Sequence, residues 1–263
     1  EFRSAPEGCS TLDRLDREYD VFRPVAPVSD NVLPVAADCD APLAKAGETA
    51  RARLSRAQVR PVCTLQNSLT NSQIEGVAAL LEAVRDAVKW NVGIALDCHG
   101  RFTRRGAIEV ADALEQYDIF FLEEPVELED REVMAEVTKQ VNMPVATGER
   151  IYNNETMADV IRKQARDIVQ PTNYGSLQEA QHAAAMAKKR YMTIAPHNPN
   201  AGVSTAASPH LCAGLENLEV LEHMSRDVPW GDEIIETSWE VSEGSITVPD
   251  EPCLGVQFDP EAT

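Results

Sequence analysis

Basic residues are few in this chain: 24 lysines and arginines stand against 43 aspartates and glutamates, for a formal charge of −19. Affinity for nucleic acid comes largely from basic side chains on phosphates, so this balance argues against a nucleic-acid partner. No apolar run approaches the roughly 20 residues of a membrane span. The opening EFRSAPEGCS lacks the apolar core of a signal peptide. The expectation is a soluble, cytoplasmic protein with no membrane partner. Six cysteines (Cys9, Cys39, Cys63, Cys98, Cys212 and Cys253) form no CxxC pair, which excludes the usual zinc spacing, and a reducing cytoplasm disfavours disulfides. No GxGxxG follows a strand pattern, so a dinucleotide fold has little support. Lysine is scarce even beside arginine. An acidic, lysine-poor surface has two readings, an ordinary soluble protein and one kept solvated in concentrated salt.

What is present is a monotonous alternation from about residue 31 onward. Short apolar runs predict strands at Val32–Ala36, Val59–Leu65, Val92–Asp97, Ile119–Glu123, Val145–Thr147, Asp167–Gln170, Met192–Ala195 and Leu218–Glu222. Ala-rich amphipathic segments predict helices at Glu48–Arg56, Ile74–Val88, Arg105–Glu115, Glu129–Gln140, Thr156–Gln164, Leu177–Lys188 and Thr205–Leu215. Alternation of this kind implies a parallel sheet, and eight strands at this spacing fit a closed α/β barrel. The flanks differ. Residues 1–30 are Pro-rich and weakly periodic, and residues 227–263 read as short strands and turns, suggesting a small extra layer beside a barrel at 31–226.

Active sites of such barrels lie at the C-terminal ends of the strands. There the predicted strands end in Asp97, in Glu123 and, just beyond the fifth, in Glu149, each 26 residues from the last. One βα unit of spacing places the three carboxylates at equivalent positions on adjacent strands. Facing carboxylates repel unless a cation lies between them, and an all-oxygen set suits Mg²⁺ better than zinc. His99, two residues past Asp97, falls on the same strand face. His197 ends the seventh strand and Glu222 the eighth, 25 residues later. His182, His210 and His223 lack such placement and read as structural.

The motifs LDCHG (96–100), LEEP (122–125), TGER (147–150), DIVQP (167–171), APHNP (195–199) and Glu222 together resemble the mandelate racemase/muconate lactonizing branch of the enolase superfamily, most closely its galactonate dehydratase-like sugar-acid dehydratases. The resemblance implies a (β/α)7β TIM-type barrel with a small, truncated α+β capping region from both termini, residues 1–30 being a remnant of its N-terminal part and 227–263 its C-terminal segment. It implies Mg²⁺ on Asp97, Glu123 and Glu149, and a His base working with Mg²⁺ is a known pattern of this superfamily. His197 would take the C2 proton and His99 would protonate the departing C3 hydroxyl. Glu222 would hydrogen-bond the substrate carboxylate, and Arg150 would also contact the substrate. The implied reaction is dehydration of a galactonate- or gluconate-like aldonic acid to a 2-keto-3-deoxy acid through an enediolate, by a homo-oligomer.

Two alternatives stay open: a racemase or epimerase on the same scaffold, and a catalytically impaired metal-binding relative. The lysine that racemases of the superfamily commonly carry on strand two has no counterpart in VRPVCTL (59–65), which favours dehydration. The aspartate that usually follows the QP of strand six is replaced by Thr172. About 30 residues precede the first predicted strand, where the family's cap normally takes over a hundred.

Overall fold

In a computed structural model of the chain, the structure describes residues 23–25, 33–36, 69–90, 92–171, 176–199, 202–223, 235–237, 239–242, 244–249 and 252–258. Five strands follow one another in parallel pairing: β3 (Gly93–Asp97), β4 (Ile119–Glu123), β5 (Val145–Thr147), β6 (Ile168–Val169) and β7 (Thr193–Ile194). A parallel bridge from Ile194 to Leu218 carries the pairing towards β8 (Leu221–Glu222). β8 pairs in parallel with β2 (Leu33–Ala36). β1 (Arg23–Val25) lies between β2 and β3 and is antiparallel to both. The sheet thereby closes into a TIM-type barrel. Its departure from the expected pattern is β1, which runs against the other strands. The predicted strand Val59–Leu65 and helix Glu48–Arg56 lie outside the described residues.

Between the strands run α1 (Asn71–Val88), α2 (Arg104–Leu114), α3 (Arg131–Gln140), α4 (Asn154–Arg162), α5 (Leu177–Lys188) and α6 (Val203–Ala213). Their starts are written in the sequence. Thr70, Thr103, Asp130, Asn153 and Ser176 each accept a hydrogen bond from the amide three residues on, satisfying one of the donors a helix leaves orphaned. Thr70 and Gln73 form a reciprocal capping box. Helix α6 instead starts at Gly202, at φ +68° and without a side-chain cap. Beyond the barrel, β10 (Val241–Ser242) and β11 (Ser245–Ile246) form a hairpin on β2, and β9 (Ile235–Thr237) pairs with β12 (Val256–Phe258).

Period two along each strand separates two cores. Ala95, Phe121, Ala146, Ile168, Ala195 and Val220, one from each consecutive strand segment, fill the barrel interior. Their neighbours Leu96, Leu122, Val145, Val169 and Ile194 face outward and pack with Leu81, Val110, Leu114, Met134, Met157 and Ala183 of the helices. At the bottom of the barrel the buried Arg85 donates to the carbonyls of Lys89 and Val92 (2.8 and 2.7 Å) and of Tyr117 and Asp118 (2.9 and 3.1 Å). One side chain thus joins the end of α1 to the approaches to β3 and β4. Among the described residues no helix is long and apolar enough to cross a membrane.

Candidate metal centre

Two residues above the interior apolar layer, the same strands present Asp97, Glu123, Gly148, Gln170, His197 and Glu222. This ring forms the floor of the barrel mouth. Asp97 and Glu123 are direct register partners on β3 and β4. Glu149 is not their equivalent, which corrects the reading from equal spacing. Glu123 pairs with Ala146, so Glu149 stands three residues further along its strand. The chain turns at Gly148, at φ +143°, where an added Cβ would lie 2.8 Å from both the Gln170 carbonyl oxygen and Arg166 Nη1. Only glycine fits this turn, and the turn brings Glu149 back to the mouth.

There, His197 joins the acids. Its Nε2 is 3.0 Å from Glu149 Oε2, its Nδ1 is 2.6 Å from Glu222 Oε2, and Glu123 Oε1 lies 3.9 Å from Nδ1. Candidate ligand atoms of Glu123, Glu149 and His197 all fall within 4.8 Å of one another, a grouping that could hold a metal ion. Asp97 is outside this grouping and contacts His99: the His99 amide donates to its Oδ1 at 2.9 Å, and His99 Nε2 lies 2.8 Å from Oδ2. His99, at φ +48°, curls back over its own strand end. The donor set, the carboxylates of the buried Glu123 and half-buried Glu149 beside the His197 imidazole, fits a hard divalent cation through its oxygens. Burial raises the Glu149 carboxyl above its usual range, with the Asp97 and Glu124 charges acting in the same direction and His197 and His99 opposing them. The hydrogen bond to Asp97 raises His99.

Glu124, fully buried at φ +43°, ties three strand ends together. Its Oε1 accepts from the Thr147 hydroxyl and from the Gly148 amide (3.0 Å), and its Oε2 accepts from Arg150 Nε and Nη2 (3.1 and 2.8 Å). Its carbonyl accepts from the Gly100 amide at 2.6 Å. Arg150 Nη1 also donates to Glu127 at 3.0 Å, so the guanidinium expected at the substrate is bound to two acids of the β4 loop. The Asn198 amide donates to Glu222 Oε2 at 3.2 Å, and the Asn198 side chain is held by Thr205. Glu124, Gln170 and Asn198 were given no role by the sequence. Each lies within a quoted motif, but the motif does not show what it meets: the side-chain partners of Glu124 stand 23 to 26 residues along the chain. Of the remaining histidines, His182 is exposed on α5, while His210 lies on α6 and His223 follows Glu222. Thr172 lies outside the described residues.

Comparison with known proteins agrees with this architecture. The family described as Enolase C-terminal domain-like matches residues 45–262. The D-xylonate dehydratase of Haloferax volcanii is 32% identical over 196 residues, covering 74% of this chain and 48% of that protein. The D-gluconate/D-galactonate dehydratase of Picrophilus torridus is 30% identical over 191 residues, covering 72% and 49%. The chain therefore spans about half the length of the curated relatives it matches. Among solved structures, a mandelate racemase/muconate lactonizing enzyme-like protein from Rubrobacter xylanophilus superposes with a TM-score of 0.76 at 27% identity, covering 91% of this chain and 71% of that one. A mandelate racemase/muconate lactonizing enzyme from Sulfitobacter superposes with a TM-score of 0.72 at 28% identity, covering 89% and 64%. With its strand-end acids, its mouth histidines and this match over most of its length, the chain belongs to the enolase C-terminal domain-like family, in the mandelate racemase branch of the enolase superfamily.

Proposed function

We propose that this chain carries the active site of a Mg²⁺-dependent hydro-lyase that dehydrates a galactonate- or gluconate-like aldonic acid to a 2-keto-3-deoxy acid. The observation that carries the reading is the imidazole of His197, held at the barrel mouth between Glu149 and Glu222 beside the buried Glu123. The dehydratase names of the sugar-acid relatives support it. Asp97, Glu123 and Glu149 would hold the Mg²⁺, which would supply Lewis-acid stabilisation of the negative charge that forms when the C2 proton leaves.

The protein groups then divide the proton transfers. His197 takes the C2 proton, and the carboxylate of Glu222 at Nδ1 fixes the ring's orientation, a task the family usually gives to the aspartate that Thr172 replaces. His99 delivers a proton to the C3 hydroxyl, which departs as water. The enol left behind tautomerises to the 2-keto-3-deoxy acid. Each positioned proton transfer contributes roughly 10²–10⁴-fold. Glu222, nearly enclosed, also faces the substrate carboxylate. A small-molecule substrate, a cytoplasmic setting and a homo-oligomer without nucleic-acid or membrane partners complete the proposal.

A screen of hexonates and pentonates with Mg²⁺, read out as 2-keto-3-deoxy product, tests it. Dehydration of at least one acid is the expected result. Absence of turnover across the panel overturns the dehydratase reading, and C2 proton exchange without loss of water replaces it with epimerisation. His197→Asn should abolish C2 exchange, and exchange that survives it moves the base elsewhere.

A further inference from the structure

One member of the ring has no part in the chemistry above. Gln170 lies two residues past the interior Ile168, as Asp97, Glu123, His197 and Glu222 lie two past the interior residues of their own strands. Its direction follows from the alternation beneath it: Ile168 packs in the barrel interior and Val169 outside it, so the next residue returns to the inside. The backbone holds that position firmly. The Gln170 amide donates to the Thr147 carbonyl at 3.1 Å, and the His197 amide donates to the Pro171 carbonyl at 3.3 Å. Gln170 thus stands between Gly148, which has no side chain to cover it, and His197.

The residue is 1% exposed, yet its Oε1 has no hydrogen-bond partner among the described residues. A buried amide oxygen without a donor is costly, and a binding site can keep one that its ligand satisfies. The neighbouring ring side chains are carboxylates and an imidazole. Gln170 adds a neutral carboxamide that both accepts and donates without titrating. A hydroxyl group has the same dual character. We propose that Gln170 contacts the substrate directly, its carboxamide holding a hydroxyl of the bound polyhydroxy acid and so selecting among such acids. This assignment rests on the sugar-acid reading given above.

Gln170→Met keeps the length of the side chain and removes its hydrogen bonds. The full chain, wild type and variant, is titrated by calorimetry with Mn²⁺ alone, then in Mg²⁺ with hexonates, pentonates and their singly deoxygenated analogues. The expected result is unchanged Mn²⁺ affinity and a roughly tenfold loss of affinity for the best acid. One deoxy analogue, lacking the hydroxyl that Gln170 holds, should bind both proteins alike. Should the Met variant fail to fold, Gln170→Glu replaces it. The Glu variant retains the shape but loses the donor and adds charge, and it should weaken acid binding at least as much. A variant that binds every acid as wild type does overturns the assignment and leaves at most a fixed water at Oε1. Equal losses for Mn²⁺ and all acids overturn it in favour of a structural role. A wild-type protein that takes up Mn²⁺ but no polyhydroxy acid overturns the sugar-acid reading itself, and this assignment with it.

Discussion

At the scale of single residues, the barrel mouth is organised by side chains that face away from it as much as by those that line it. Glu123 and Glu149 each sit beside a residue of the Glu124–Arg150 pair, so the pair fixes the peptides that carry them. Arg150→Met leaves the fully buried Glu124 carboxylate without its guanidinium. Losing one partner of such a pair should cost about 2–4 kcal/mol, seen as a lower denaturation midpoint, and should weaken Mn²⁺ binding in calorimetry. A loss of sugar-acid affinity alone, with stability and Mn²⁺ affinity intact, would instead return Arg150 to the substrate. His223 makes a separate prediction. Burial lowers its pKa below the usual value of 6.5. The unfolded chain therefore binds the proton first as pH falls, and stability contributed by the neutral ring is lost from about pH 6.5 down towards the folded pKa. In urea titrations between pH 5 and 7, His223→Gln should flatten that part of the acid slope. The sequence was a good guide to which residues gather here and a poorer one to how they meet. Intervals of 26 residues between Asp97, Glu123 and Glu149 measure chain length. Register depends on how much of each interval is spent in the loops, and that becomes visible only once Glu123 is seen opposite Ala146. The partners of Glu124 come from a different strand end, 23 to 26 residues away, which no local pattern reveals.

At the scale of elements, boundaries from periodicity lie within about two residues of the observed ones for the helices α2 to α6, and α5 matches at both ends. Capping chemistry is local, and Ser, Thr, Asn and Asp announce it. Strands β6, β7 and β8 are shorter than predicted, two residues each. The apolar run continues past the paired segment into the residues that support the ring. The antiparallel β1 was not legible, because Arg23–Val25 sits in a Pro-rich stretch without strand periodicity and its neighbours are β2 and β3. Arg85 is the element-scale test. It satisfies four carbonyls from three places in the chain, and its burial would ordinarily disfavour the charge. Arg85→Met should therefore destabilise the protein by about 2–4 kcal/mol. Hydrogen exchange should locate the loss at the bottom of the barrel, in the turns preceding β3 and β4, with the mouth little affected.

At the scale of the whole molecule, the formal charge of −19 is the dominant long-range term. Like charges spread over one domain repel, and added salt shortens the reach of that repulsion to about 8 Å at physiological ionic strength and about 3 Å at 1 M. The melting temperature should rise between 50 mM and 1 M KCl. A midpoint that is flat or falling over this range would show that the acidic surface is already balanced by its own ion pairs, such as Arg104 with Glu136 and Lys163 with Asp159.

The alternation that directs Asp97 into the mouth also turns Cys98 away from it, into the packing between barrel and helices, where the thiol is buried. Burial and the nearby carboxylates hold that thiol in its protonated, unreactive form. Alkylation of Cys98 must therefore wait for the β3–β4 seam to part, whereas the exposed Cys253 is open to the reagent. The ratio of the two rates turns one mass spectrum into a clock for the breathing of the mouth, and loading the acids with a divalent cation should slow it.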